Sequence, residues 1–159
     1  MGKKQIKKIN DFYGKVKDKL IFEYSRNTDH ILKEIFEHIS LNDGAFLIFD
    51  YGPFVKGAND SIQCIFNKQK CNLLDYPTKS DITHHIDFQY MKSIAKEFNL
   101  NCYGPISQRN FIINFGGYER LNTLISSSNR EKRHSLKLEF LRLTSPSEMG
   151  ELFKCILFI

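Results

Sequence analysis

The run Ala45-Phe46-Leu47-Ile48-Phe49 is apolar at every position and is bracketed by Asn42-Asp43-Gly44 and by Asp50-Tyr51-Gly52-Pro53. Strands with one wet face alternate polar and apolar residues, so a short run that is apolar throughout is expected inside a parallel sheet covered by helices. The run ends on a carboxylate and a sharp turn, which is where open α/β sheets hold their ligands. Upstream, Ile31, Leu32, Ile35, Phe36 and Ile39 recur at helical spacing. Thr28 can cap that helix, and Asp29 suits the positive end of its dipole. An amphipathic helix leading into a two-faced apolar strand sets the expected class as α/β.

The rest of the chain is read against that unit. Residues 53–80 are poorly periodic, with Gly57, Asn59, Asp60 and Pro77 as breakers, and are expected to form a long lid or binding loop. Asp87 caps a second helix whose buried face carries Phe88, Met91, Ile94, Ala95 and Phe98. Two β-prone runs follow, Cys102–Ile106 and Phe111–Phe115, and strand, helix, strand in this order predicts a right-handed crossover between parallel strands. Gly116-Gly117 opens a further helix carrying Tyr118, Leu121, Leu124 and Ile125. From Arg130 to Leu143 the apolar residues fit both a strand and a helix, and length favours helix. Pro146 ends it, and Leu152–Ile159 reads as a closing strand.

At 159 residues, 42% hydrophobic and 26% charged, the chain suits one domain, which sets aside disordered, collagen-like and disulfide-dense classes. It divides into a lysine-rich segment, 1–27, with a turn at Gly14 and a short strand at Leu20–Phe22, and a main unit, 28–159. No apolar run approaches the roughly 20 residues that a membrane-spanning helix needs. The net charge of +5 belongs to the opening: seven lysines stand against Asp11 and Asp18 in residues 1–19, and the remainder balances, sixteen basic against sixteen acidic. That reads as a solvated arm and argues against a nucleic-acid-binding face. Cys64, Cys71, Cys102 and Cys155 form no CxxC pair, so reduced thiols in a cytosol-like compartment are expected. Cys64, Cys71, His84 and His85 match no usual zinc spacing.

Four clusters can carry chemistry: Asp50-Tyr51-Gly52, the block Asp81 to Phe88, Gly104 with Gln108, and Met149-Gly150 before Phe153-Lys154. Asp50 can accept hydrogen bonds from a cofactor amine or hold a cationic substrate; it can equally bond the backbone of its own turn. Asp81 and Thr83 precede the Asp87 cap and can line a cleft at the helix start. His84 and His85 are of the residue type best suited to general-base work, but no nucleophile pattern accompanies them.

Taken in order, these clusters resemble the carboxyl-terminal half of the MidA-like methyltransferases, and the likeness covers most of residues 44–154. The family uses S-adenosylmethionine and includes an arginine-methylating assembly factor of mitochondrial complex I. The resemblance implies part of a class I, Rossmann-like sheet: Ala45–Phe49 as its fifth strand, Cys102–Phe115 containing the sixth, and Leu152–Ile159 the seventh, antiparallel between them. Family members hold the cofactor on a glycine-rich turn in an amino-terminal half, and no such motif occurs in this chain. The cofactor-binding residues are therefore expected elsewhere, tight S-adenosylmethionine binding by this chain alone is not expected, and the fifth strand is left as an apolar edge prone to self-association.

For an arginine acceptor, Asp50, Asp81 and Asp87 are the implied carboxylates, with Tyr51, Thr83 and Gln108 as further hydrogen-bonding groups on the substrate side. Three readings stay open: half of an enzyme whose other half is a separately encoded chain, an inactive remnant, or a binding module using its basic arm. The expected compartment is the cytoplasm, or the mitochondrial matrix for a eukaryotic source.

Overall fold

In the computed structural model, which describes residues 6–7, 10–11, 21, 23–57 and 60–159, the helix α1 (Arg26–Asn42) starts earlier than its periodicity indicates. Ser25 is the cap: its Oγ accepts from the Thr28 amide at 3.2 Å and from the Thr28 hydroxyl at 2.8 Å. Leu32, Phe36 and Ile39 are buried, whereas Ile31 sits at the rim of the stripe and is 53% exposed. Apart from Lys7, the opening lysines, like Gly14, Leu20 and Phe22, lie outside the described residues.

The apolar run forms β1 (Phe46–Tyr51), and the closing segment forms β6 (Phe153–Phe158). β6 lies between β1 and β5 (Cys102–Ser107) and is antiparallel to both. This corrects the parallel-sheet expectation drawn from the apolar run, since β1 and β5 run in one direction but are not neighbours, and it agrees with the antiparallel closing strand that the resemblance implies. Nor is β1 covered on both faces. Phe46 and Ile48 pack toward α1 and α2 (Phe88–Glu97), while Leu47 and Phe49 on the other face remain 45% and 42% exposed. The run is apolar throughout because Phe49 also has a partner, the Phe111 ring 4.8 Å away edge to face.

Phe111 is helical, a second correction. The expected strand Phe111–Phe115 lies largely within α3 (Gln108–Asn114), capped by Ser107, whose Oγ accepts from Asn110 N at 3.3 Å. Phe111 and Phe115 stack at 4.7 Å, as residues four apart do on one helical face. α4 (Gly117–Ser126) and α5 (Arg130–Thr144) follow as helices, and one turn, α6 (Met149–Leu152), leads into β6.

The expected long loop is also partly ordered as sheet. β2 (Gln63–Phe66) pairs on one side with β3 (Gln69–Cys71) and on the other with β4 (Asp81–Thr83), all antiparallel. The main core lies between the helices and β6: Leu32 and Phe36 from α1, Phe88, Met91, Ile94 and Ala95 from α2, and Ile156 and Phe158 from β6.

Candidate acceptor site

The turn after β1 is held against the start of α2 by backbone and side-chain hydrogen bonds, the latter from Gln89 Nε2 to Phe54 O at 3.2 Å. Ile86 N donates to Tyr51 O at 3.1 Å, and Gly52 N to Leu152 O at 3.4 Å. A Cβ on Gly52 would stand 2.7 Å from Ile86 O, so only glycine permits this approach. Asp87 caps α2 by accepting from Tyr90 N at 2.9 Å, which fixes the helix start beside the strand end.

Between these two ends lies a cavity of about 350 Å³. Asp50 and Tyr51 come to it from β1, Ile82 and Thr83 from β4, His84 to Ile86 from the connection, and Asp87, Tyr90 and Met91 from the start of α2. The fourth wall comes from just before and within α1, Glu23, Tyr24, Ser25 and Thr28, with Lys56 from the 53–80 segment.

One ion pair holds that wall in place. Lys56 Nζ lies 2.6 Å from Glu23 Oε2, with the two side chains only 7% and 6% exposed. Ser61 N and Oγ each donate to the Glu23 carboxylate at 2.6 Å; Lys56 Nζ donates to His85 O at 2.7 Å, and Ser61 Oγ accepts from His85 N at 2.9 Å. Burial favours the neutral acid, but the hydrogen bonds from Lys56 and Ser61 and the ammonium charge outweigh it and lower the Glu23 pKa to about 2. Glu23 is thus a structural anion, spoken for by its own cation.

The other acidic groups are differently placed. Burial pushes the Asp87 carboxyl up, against the backbone hydrogen bonds from Tyr90 and Gln89 that lower it. Asp50 Oδ1 accepts from Tyr51 N at 2.7 Å, which orients the carboxylate at the cavity edge. Tyr90 Oη donates to Asp29 Oδ1 at 2.8 Å. Aromatic contacts brace the lining: Tyr51 meets His85 at 5.8 Å and, outside the cavity, Phe153 at 5.6 Å, and Tyr24 meets Tyr90 at 6.3 Å. Carboxylates among aromatic rings form a pocket suited to a planar cation.

Of the six residues singled out from the sequence, Asp50, Tyr51, Thr83 and Asp87 meet here. Asp81 does not: it is exposed at the other end of β4, paired with Ile65. Gln108 does not either, because it is buried at the start of α3, where its Nε2 donates to Leu143 O at 2.9 Å and ties α3 to α5. The last two clusters are packing devices. Gly104, at φ 103°, approaches Cys155 O where a Cβ would stand at 2.7 Å. Lys154 is buried, donates to the carbonyls of Glu151 and Leu152, and holds its amine 4.9 Å from the Phe54 ring centre, with burial lowering its pKa. Sequence reasoning missed Glu23, Tyr24, Lys56, Ser61 and Tyr90. Glu23 and Ser61 lie 38 residues apart and share no local motif.

Comparison with known proteins finds one family. A family model described as "Putative S-adenosyl-L-methionine-dependent methyltransferase" matches residues 2–106. The mitochondrial protein arginine methyltransferase NDUFAF7 of Danio rerio is 33% identical over 125 residues, covering 78% of this chain and 29% of that protein. Its Drosophila melanogaster homolog is 29% identical over 133 residues, covering 83% and 30%. The chain therefore spans under a third of the length of these relatives. Two crystal structures of one superfamily from Burkholderia thailandensis share the fold. One has a TM-score of 0.75 at 24% identity and covers 85% of this chain and 37% of that one. The other, bound to S-adenosyl-homocysteine, has a TM-score of 0.69 at 23% identity and covers 82% and 35%.

Proposed function

Because the chain belongs to the MidA-like family of S-adenosylmethionine-dependent methyltransferases, we propose that it supplies the carboxyl-terminal, acceptor-binding part of such an enzyme, with a protein arginine as the methyl acceptor. The observation that carries this reading is the cavity at the carboxyl end of β1, where Asp50, Tyr51, Thr83 and Asp87 converge. The names of the arginine methyltransferase relatives support the choice of acceptor.

A guanidinium is always charged and presents donors in a rigid plane, so a methyl-accepting nitrogen must be oriented and its charge balanced. Asp50 and Asp87 sit where they can take those donors, Thr83 and Tyr51 can hydrogen-bond the remaining edge, and the Tyr51 and Tyr24 rings exclude water from the plane. His84 and His85 lie at the same wall and can receive the proton that the methylated nitrogen sheds.

The glycine-rich turn on which the family holds the methyl donor has no counterpart in this sequence. Gly52, Gly104, Gly117 and Gly150, the glycines with no room for a side chain, all abut the chain's own backbone rather than the cavity. S-adenosylmethionine supplies an electrophilic methyl group, and its binding residues belong to the part of the family's fold that these residues do not represent. The β1-β6-β5 order, with the last strand antiparallel between the other two, agrees with the fifth, seventh and sixth strands of a class I sheet. β1 then offers its outer edge to the remaining strands, whether they come from a separately encoded amino-terminal half or, in their absence, from a second copy. For a eukaryotic source the mitochondrial relatives favour the matrix.

The first test is calorimetric titration of the folded chain with S-adenosylmethionine, and with S-adenosylhomocysteine as competitor. No saturable heat is expected. Saturable, competed binding would show that the chain builds its own cofactor pocket, and the division of labour proposed here would be wrong. With no such binding, adding the amino-terminal region of a family member should give methyl transfer to an arginine peptide.

A further inference from the structure

Away from the acceptor cavity, two thiols face each other across the β2–β3 hairpin. Cys64 and Cys71 are directly opposed in the antiparallel register, and the Cys71 thiol donates to Cys64 Sγ at 3.2 Å. Opposed residues of an antiparallel pair have Cα atoms about 4.5–5.5 Å apart, within the roughly 4.4–6.8 Å over which a disulfide closes without moving the backbone. Both are free cysteines, and they differ in access. Cys64 is buried at 5% exposure, whereas Cys71 is half-buried and lines a surface depression of about 560 Å³ with Phe66, Lys70, Asp75 and Tyr76.

We propose that Cys64 and Cys71 are a reversible dithiol–disulfide site, oxidised by a small-molecule disulfide that enters through the depression beside Cys71. The exchange has two steps. The Cys71 thiol, whose pKa burial and the facing Cys64 push up to about 11, gives up its proton as it attacks one sulfur of the small disulfide, forming a mixed disulfide and expelling one small thiolate. The Cys64 thiolate then attacks Cys71 Sγ and expels the second. Two protein thiols lose two electrons and two protons, and one small disulfide is reduced to two thiols.

The other cysteines are not so arranged. Cys102 stands opposite Phe158 and Cys155 opposite Ile106, so each faces a residue without sulfur. The pair is connected to the acceptor site through the sheet. β2 lies between β3 and β4, with Cys64 opposite Ile82, and β4 continues into Thr83 and the His84-His85 rim. Ser61, which holds Glu23 and His85, precedes β2 by two residues. Closing the bond fixes the hairpin that carries that wall. This inference rests on the thiol geometry and stands independently of the proposed reaction.

The test uses the native full chain, glutathione disulfide as the probe, and peptide mapping without reductant. The expected product is a Cys64–Cys71 cross-link, reversed by dithiothreitol, with Cys102 and Cys155 still alkylatable. Cys64→Ser should stop at a mixed disulfide on Cys71. In Cys71→Ser, buried Cys64 should remain unmodified. A wild-type chain that accumulates the mixed disulfide without closing it, that cross-links another pair, or that does not react at all while natively folded would overturn the proposal.

Discussion

Glu23 shows how a residue with no motif can govern a site. Its carboxylate holds Lys56 and Ser61, and through them the His85 backbone. Its pKa is lowered from 4.5 to about 2, so the stability it contributes is fully present above pH 4.5 and is lost as pH falls toward 2. Urea denaturation across that window should show the wild type losing stability while Glu23→Gln does not. At pH 7 the same substitution leaves Lys56 buried without its counter-ion and should cost about 3–5 kcal/mol. Gly52→Ala, which forces a Cβ against Ile86 O, should destabilise the chain by about 1–3 kcal/mol in the same assay. At the cavity edge, Asp50→Asn should lower methyl transfer by the assembled enzyme about 100-fold by loosening the acceptor, with the thermal midpoint little changed. Retained activity would remove Asp50 from the site. Asp50 and Asp87 could be singled out from the sequence because each marks an element boundary, one ending a strand and one opening a helix. Glu23 and Lys56 could not, since only the tertiary fold brings them together.

At the level of elements, legibility followed period and length. α1, α2 and α4 repeat their apolar residues over two turns or more, and the structure has a helix at each place. Phe111–Phe115 spans only five residues, too few to distinguish a strand from a helical turn, and the Ser107 cap decided in favour of helix. The β2–β3 hairpin hid for a different reason. Its two-residue turn, Asn67-Lys68, places both residues at positive φ, 50° and 64°. That geometry is usually announced by Asn-Gly, and lysine in the second place silences the signal. The core joining α1, α2 and β6 gives a direct check on the element arrangement: Phe36→Ala, at a fully buried position, should cost about 3–5 kcal/mol by chemical denaturation. An exposed Phe36 in solution would be nearly silent.

For the whole molecule, the feature that matters is the open side of the sheet. Among the described residues β1 has a strand on one side only, and its outward face carries Leu47 and Phe49. Light scattering should show an association that grows with concentration and weakens in Leu47→Lys, because charge on an edge strand discourages pairing. A stable monomer at high concentration would count against β1 as an edge awaiting partners. The α/β class and the cavity's position at the end of β1 were both readable from one apolar run and its turn. The antiparallel pairing was legible only through the family resemblance, because nothing local to β1 states that its neighbour is the segment about a hundred residues later.

That distant neighbour also sets a timetable. β6 fills the lane between β1 and β5, so both earlier strands are made before the segment that joins them. At about 5–20 residues per second, a ribosome would expose their apolar faces for several seconds before Phe158 emerges. During that interval the growing chain depends on whatever shields it, and the sheet can close only when its middle strand arrives.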